Sequence, residues 1–163
     1  MRQHVDEACG LAGLLTWNNA RSAYSLVHDG SKTDGSGWYC SDLTYAHELG
    51  HNMGCAHDRD NAGVNGRYAY SYGYQAPSAA FRTVMAYATG CGSPCTRVTH
   101  FSNPNVTYGG AATGVAQGSP DAADNAATIN FTRTEMAAFR ATVYVFKDGF
   151  ETGTTQIWSA VSP

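Results

Sequence analysis

Charge is scarce in this chain. Only 14% of its 163 residues are Asp, Glu, Lys or Arg, against about a quarter in ordinary soluble proteins. The formal net charge is −3, so the basic excess that marks nucleic-acid binders is missing and no nucleic-acid partner is expected. No apolar run approaches the ~20 residues that span a bilayer, so no membrane partner is expected either. The opening Arg2-Gln3-His4-Val5-Asp6-Glu7 has no apolar stretch of the signal-peptide kind. There is no Cys-x-x-Cys pair, which argues against a cysteine zinc cluster, and no internal repeat.

What is present points to a loop-rich globular unit. The length suits one domain, and glycine (18) and tyrosine (10) are abundant. The five cysteines are Cys9, Cys40, Cys55, Cys91 and Cys95, an odd number that leaves at least one unpaired within the chain. Cys91-Gly-Ser-Pro-Cys95 can close a small disulfide loop, because Gly and Pro turn the chain sharply. Five free thiols in a reducing compartment are the competing reading, and cysteines placed beside loops favour disulfides.

Residues 11–16 and 23–28 read as strands, with polar 17–22 between them and a Gly/Ser/Asp loop over 29–37. A helix is expected from Ser41 or Asp42, either able to cap it, to about Gly54. No helical period runs through 58–77, and 100–110 reads as loop. Ser119-Pro120-Asp121 has the form of a helix start: a capping serine, proline at the first position and an acid in the first turn. That helix should reach about Thr142, with an apolar stripe through Ile129, Met136, Ala137 and Phe139.

The informative segment is His47-Glu48-Leu49-Gly50-His51-Asn52-Met53-Gly54-Cys55-Ala56-His57-Asp58. Histidines four apart on a helix project from one face, separated by a rise of ~6 Å. Zinc–imidazole bonds of ~2.0–2.1 Å let both rings share one ion. Glu48 lies beside the first ligand, offset from the pair and placed to hydrogen-bond a water at the metal. A catalytic zinc takes three protein ligands and keeps one position open. The third must come from chain that has left the helix, and Gly54 supplies the left-handed exit that returns His57. Three neutral imidazoles would leave the ion its full charge. The competing reading is a helix with incidental surface histidines. Three of six histidines within eleven residues oppose it.

His47-Glu48-x-x-His51-x-x-Gly54-x-x-His57-Asp58 resembles the extended zinc motif of the metzincin metallopeptidases. Asp58 directly after the third histidine resembles the adamalysin/reprolysin branch, most closely its bacterial reprolysin-like members. Thr83-Val84-Met85-Ala86-Tyr87 resembles the Met-turn of that clan, and Cys9-Gly10-Leu11-Ala12-Gly13-Leu14 its antiparallel edge strand, where an extended substrate adds. His100-Phe101-Ser102-Asn103-Pro104-Asn105-Val106 resembles the segment that helps wall the pocket for the residue after the scissile bond. The resemblance also suggests pairing Cys9 with Cys40 and Cys91 with Cys95, with Cys55 free.

It implies an α+β, zincin-like catalytic domain with an active-site helix, a mixed sheet lacking its first strands, and a C-terminal helix below the Met-turn. Only eight residues precede Cys9, so 1–145 would be the C-terminal portion of such a domain and 146–163 a short flexible tail. The implied activity is a secreted, Zn2+-dependent endopeptidase acting on protein or peptide substrates, with His47, His51 and His57 on the metal and Glu48 as general base. The alternative is a zinc-binding but catalytically silent fragment serving as an interaction module. A different hydrolase using His-Glu-x-x-His is opposed by Gly54, His57 and Met85. Tyr87 matches an extra-ligand position of other metzincin branches, and Asp58 favours a structural role for it. His4, His28 and His100 lack partner spacing and read as surface or satisfied histidines. The aromatics over 68–74 read as packing the lower part of the domain. The 58–63 stretch lacks the acceptors of a calcium loop, with Ala62 and Ala69 where ligands belong.

Overall fold

The computed structural model describes residues 9–15, 20, 23–28 and 40–139. The expected connection over 17–22, the loop over 29–37, His4 and the tail from 146 lie outside those residues, Ala20 apart. The described part is α+β, with two helices and nine short strands. Helix α1 spans Thr44–Asn52 and α2 spans Asn125–Ala137. None of the described helices is long and apolar enough to cross a membrane.

The strands form four small sheets. β1 (Gly10–Ala12) pairs antiparallel with β2 (Ser25–Val27), Gly10 opposite Val27. β3 (Ala56–Asp58) pairs parallel with β4 (Tyr72–Gly73). β6 (Phe81–Arg82) joins β5 (Gln75–Ala76) antiparallel and β7 (Thr96–Arg97) parallel, so this sheet is mixed. β8 (Thr107–Tyr108) and β9 (Ala111–Ala112) form a hairpin across Gly109 and Gly110, both at positive φ. The expected strands at 11–16 and 23–28 are therefore present but shorter. Past Ala12 the first bends in, and the Leu15 amide donates to the His51 carbonyl at 3.0 Å.

Helix α1 starts later than expected. Its N-cap is Leu43, without a side-chain cap bond. The Ser41 hydroxyl accepts from the Leu43 amide at 3.2 Å, closing a turn ahead of the helix instead of capping it. At the far end Gly54, at φ 91°, forms a Schellman close: its amide donates to His51 O and that of Cys55 to Gly50 O, each at 2.9 Å. Gly54 is also tightly packed, since a Cβ there would lie 2.6 Å from Arg67 Cβ.

The C-terminal helix corrects two expectations. It begins at Asn125, not at Ser119-Pro120-Asp121, because Ala123 bridges to Val115 and holds the chain extended up to the helix. Asp124 is the cap, its carboxylate accepting from the Ala127 amide at 3.0 Å. The helix ends at Ala137, short of Thr142. Its buried face is polar: Asn125, Thr128 and Thr132. Of the expected stripe, Ala137 is exposed and Ile129, Met136 and Phe139 are only partly buried. Hydroxyls make this face fit. Thr132 donates to the carbonyl of Met53, which closes α1, at 2.8 Å, and Thr128 shares a 2.7 Å bond with Ser71. Buried hydroxyls satisfied in this way avoid the desolvation cost of unpaired polar groups.

Three small apolar clusters complete the core. Cys55, Val84 and Met85 pack with Ala46, Phe101 and Ile129. Ala56, Tyr72 and Ala123 form a second, and Ala76, Phe81 and Val98 a third. Tyr72 is buried, and Tyr68 stacks on Tyr70 and meets Phe131 edge-on, so these aromatics pack the body of the fold as expected. Both suggested disulfides are present, Cys9–Cys40 and Cys91–Cys95, and Cys55 is free and buried.

The two candidate caps separate in a stability experiment. Asp124→Ala should lower the unfolding free energy by ~1 kcal/mol, read as a shifted urea midpoint. Ser119→Ala, on an exposed turn, should shift it by less than about half that.

Candidate metal centre

Helix α1 presents His47 and His51 on one face, and the turn at Gly54 brings His57 back on β3. The Nε2 of His57 lies 3.2 Å from that of His47 and 3.1 Å from that of His51. A tetrahedral ion with nitrogen bonds of ~2.0–2.1 Å sets its ligand nitrogens roughly 3.3–3.4 Å apart. Among the described residues these three histidines are the one group of this kind that could hold a metal ion.

The tautomers agree with that use. His47 Nδ1 donates to the Val84 carbonyl and His51 Nδ1 to the Cys55 carbonyl, both at 2.8 Å. With the proton fixed on Nδ1, each Nε2 lone pair is free to point inward. Burial holds all three rings in the neutral form that ligates. It lowers His47 to about 3 and His51 to about 4, and it lowers His57 against the opposing pull of the Asn61 backbone and Asp58.

Glu48 is buried beside the group, under β1. Gly10 of β1 lies so close that a Cβ there would overlap the Glu48 carboxylate, with Cγ at 2.6 Å. The absent side chain of Gly10 is what admits Glu48 to this position. Burial raises the Glu48 carboxyl to about 7, with Arg97 opposing. A carboxyl poised near neutrality is suited to exchanging protons at physiological pH.

The turn at 83–87 forms the floor. Met85 is fully buried, and Gly50 of α1 sits directly over it: a Cβ on Gly50 would lie 2.5 Å from the Met85 sulfur. Asp58 ties this turn to β3. One carboxylate oxygen accepts from the Tyr87 amide at 2.8 Å and the other from Asn61 Nδ2 at 2.7 Å. Tyr87 lines the cleft, its ring 4.2 Å from that of His57. The cleft has a volume of about 370 Å³, between β1 on one side and Ala62, Val64 and Tyr87 on the other.

Sequence reasoning missed Arg97. Its Nε and Nη2 donate to Val84 O, the carbonyl that also holds His47. Arg97 Nη2 lies 2.9 Å from His47 Nδ1. With Nδ1 protonated these are two donors sharing one acceptor, not partners of each other. Burial, and then Arg82, pulls the Arg97 guanidinium down to about 10, while Glu48 and Tyr87 oppose. A lone arginine in a short strand carries no spacing signal, so only the fold brings it here. His100 also departs from expectation: its Nδ1 is buried without a hydrogen-bond partner.

With this geometry in view, the comparisons with known proteins decide the family. The model described as metallo-peptidase family M12 matches residues 1–102. The chain belongs to that family. Among curated relatives, the peptidyl-Asp metalloendopeptidase of Xanthomonas campestris pv. campestris is 36% identical over 134 residues, covering 81% of this chain and 28% of its own length. That of Stenotrophomonas maltophilia is 35% identical over 137 residues, covering 81% and 29%. The same-named protein of Pseudomonas fragi is 34% identical over 98 residues, covering 60% and 58%. The chain thus spans less than a third of the length of the first two relatives. No solved structure matches it.

Gly54→Val should weaken metal binding at least tenfold in a titration with Zn2+, because a β-branched residue resists positive φ and would strike Arg67. Unchanged affinity would show that His57 reaches the site without the glycine turn.

Proposed function

We propose that this chain carries the active centre of a Zn2+-dependent endopeptidase that hydrolyses internal peptide bonds. The observation that carries the reading is the convergence of three Nε2 atoms beside a buried carboxylate, in a member of a metallopeptidase family. His47, His51 and His57 would hold the ion, since the donor set is three neutral imidazoles and two are oriented by backbone carbonyls. Bound there, zinc supplies Lewis acidity to a peptide carbonyl and to water.

The remaining steps belong to the chain's own residues. Glu48 takes a proton from the attacking water and delivers one to the departing amine, which its carboxyl near 7 suits. Strand β1, on the cleft wall, offers its outer edge to an extended peptide. The Val84 carbonyl keeps His47 in register, and Met85 supports α1 from below. The relatives' name, peptidyl-Asp metalloendopeptidase, extends the reading to bonds at aspartyl residues.

The same reading assigns 1–145 to the C-terminal portion of a metzincin-like catalytic domain and 146–163 to a tail. Two disulfides fit secretion into an oxidising environment. The rival reading is a zinc-binding fragment that interacts without cutting.

Glu48→Ala should retain one zinc per chain and lose at least a hundredfold in kcat/KM on a casein-derived peptide. A chelator should abolish cleavage by the native chain, and added zinc should restore it. Zinc binding without cleavage by the native chain would favour the rival reading, and cleavage by zinc-loaded Glu48→Ala would remove Glu48 from its role.

A further inference from the structure

Arg97 and Arg82 stand side by side on β7 and β6, paired in the parallel register of that sheet. Both are partly buried. Among the described residues neither has a carboxylate within ion-pair distance; the ion pair present there is Arg67–Glu135. Arg82 donates through Nη1 to Ala86 O at 2.6 Å, while its Nε is buried with no partner. Arg97 is held through Nε and Nη2 on Val84 O, and its Nη1 makes no hydrogen bond with a described residue. Two half-desolvated cations thus grip the same turn, Arg97 on the Val84 carbonyl that orients the first metal-binding histidine and Arg82 on the Ala86 carbonyl two residues later.

Such an arrangement is unfavourable for folding alone. Like charges on adjacent strands repel, and partial burial weakens their hydration, with Glu48 and Asp58 compensating only from beyond ion-pair distance. The arrangement becomes favourable when an anion joins it. A guanidinium already fixed along one edge meets a carboxylate through its remaining N–H groups at little further entropy cost. Arg97 stands directly behind the cleft wall, beside His47 and within electrostatic range of Glu48 and Tyr87. These three residues line the cleft in which a peptide lying along β1 would bring the residues flanking the bond to be cut.

We propose that Arg97, supported by Arg82, is the specificity-determining group that receives the side-chain carboxylate of an aspartyl residue next to the scissile bond. This rests on the endopeptidase reading above and names the residue that selects its substrate. Arg97 and Glu48 act on each other electrostatically without forming an ion pair, so that selection and proton transfer use different groups.

The test uses the full zinc-loaded chain and paired peptides that differ only by Asp or Asn at one position, with cleavage mapped by mass spectrometry. The native chain should cut beside Asp at least tenfold faster in kcat/KM than beside Asn. Arg97→Met should bring that ratio close to one, because the Asp peptide loses at least tenfold more than the Asn peptide does. Arg97→Lys should recover part of the preference, and Arg82→Met should reduce it less than Arg97→Met. A native ratio near one, an Asp preference that survives in Arg97→Met, or equal loss on both peptides would overturn the proposal. If neither peptide is cut, the endopeptidase reading fails separately, and competition binding to the zinc-loaded chain decides this one. Tighter binding of the Asp peptide that Arg97→Met abolishes supports it, and equal binding of the two peptides overturns it.

Discussion

Everything at the candidate centre depends on stopping helix α1 within one turn of His51. Had the helix continued, His57 would lie ~9 Å further along the axis than His51 and could not meet it at 3.1 Å. The stop is a backbone event at Gly54, where positive φ, two Schellman bonds and contact with Arg67 coincide. The helix termination and the third imidazole are one constraint seen from two sides. Met53, one residue earlier, also receives the Thr132 hydroxyl, so the C-terminal helix secures that same corner.

The support around the centre is more polar than apolar. Asn52 sends its amide to Gly13 O and Tyr24 O, Ser102 bonds Tyr72 O and receives the Asn125 amide, and Asp58 joins β3 to the floor. With small apolar clusters, such a fold derives its geometry from satisfied hydrogen bonds, each costly to leave unmade. That suits a centre whose ligands must hold their position to a few tenths of an ångström.

The sequence made the centre legible because metal chemistry imposes rigid spacing: residues four apart on a helix, a glycine exit and a third histidine leave few other uses. The Cys91–Cys95 loop was readable from its own Gly and Pro, whereas the Cys9–Cys40 pairing and the α+β character were implied by the family resemblance. The C-terminal helix was misread in start and face. Ser119-Pro120-Asp121 has good local cap chemistry, but pairing of Val115 with Ala123 overrides it. Its buried threonines look like a solvent face until their partners, Ser71 and Met53, are known. Arg97 was invisible for a similar reason: its meaning lies in Val84, thirteen positions away.

Helix α1 is fastened to the β1–β2 hairpin at both ends. Cys40, ahead of the helix, is bonded to Cys9 at the start of β1, and Asn52 at its close bridges the hairpin beyond Ala12 and before Ser25. Strand and helix therefore behave as two rails with crossties, and no hinge can open between Gly10 and Glu48. Any widening of the cleft to admit a bulkier chain must come from the opposite bank, where Val64 and Tyr87 stand exposed. The cleft is adjustable from one side only, and the side that cannot yield is the one carrying the carboxylate.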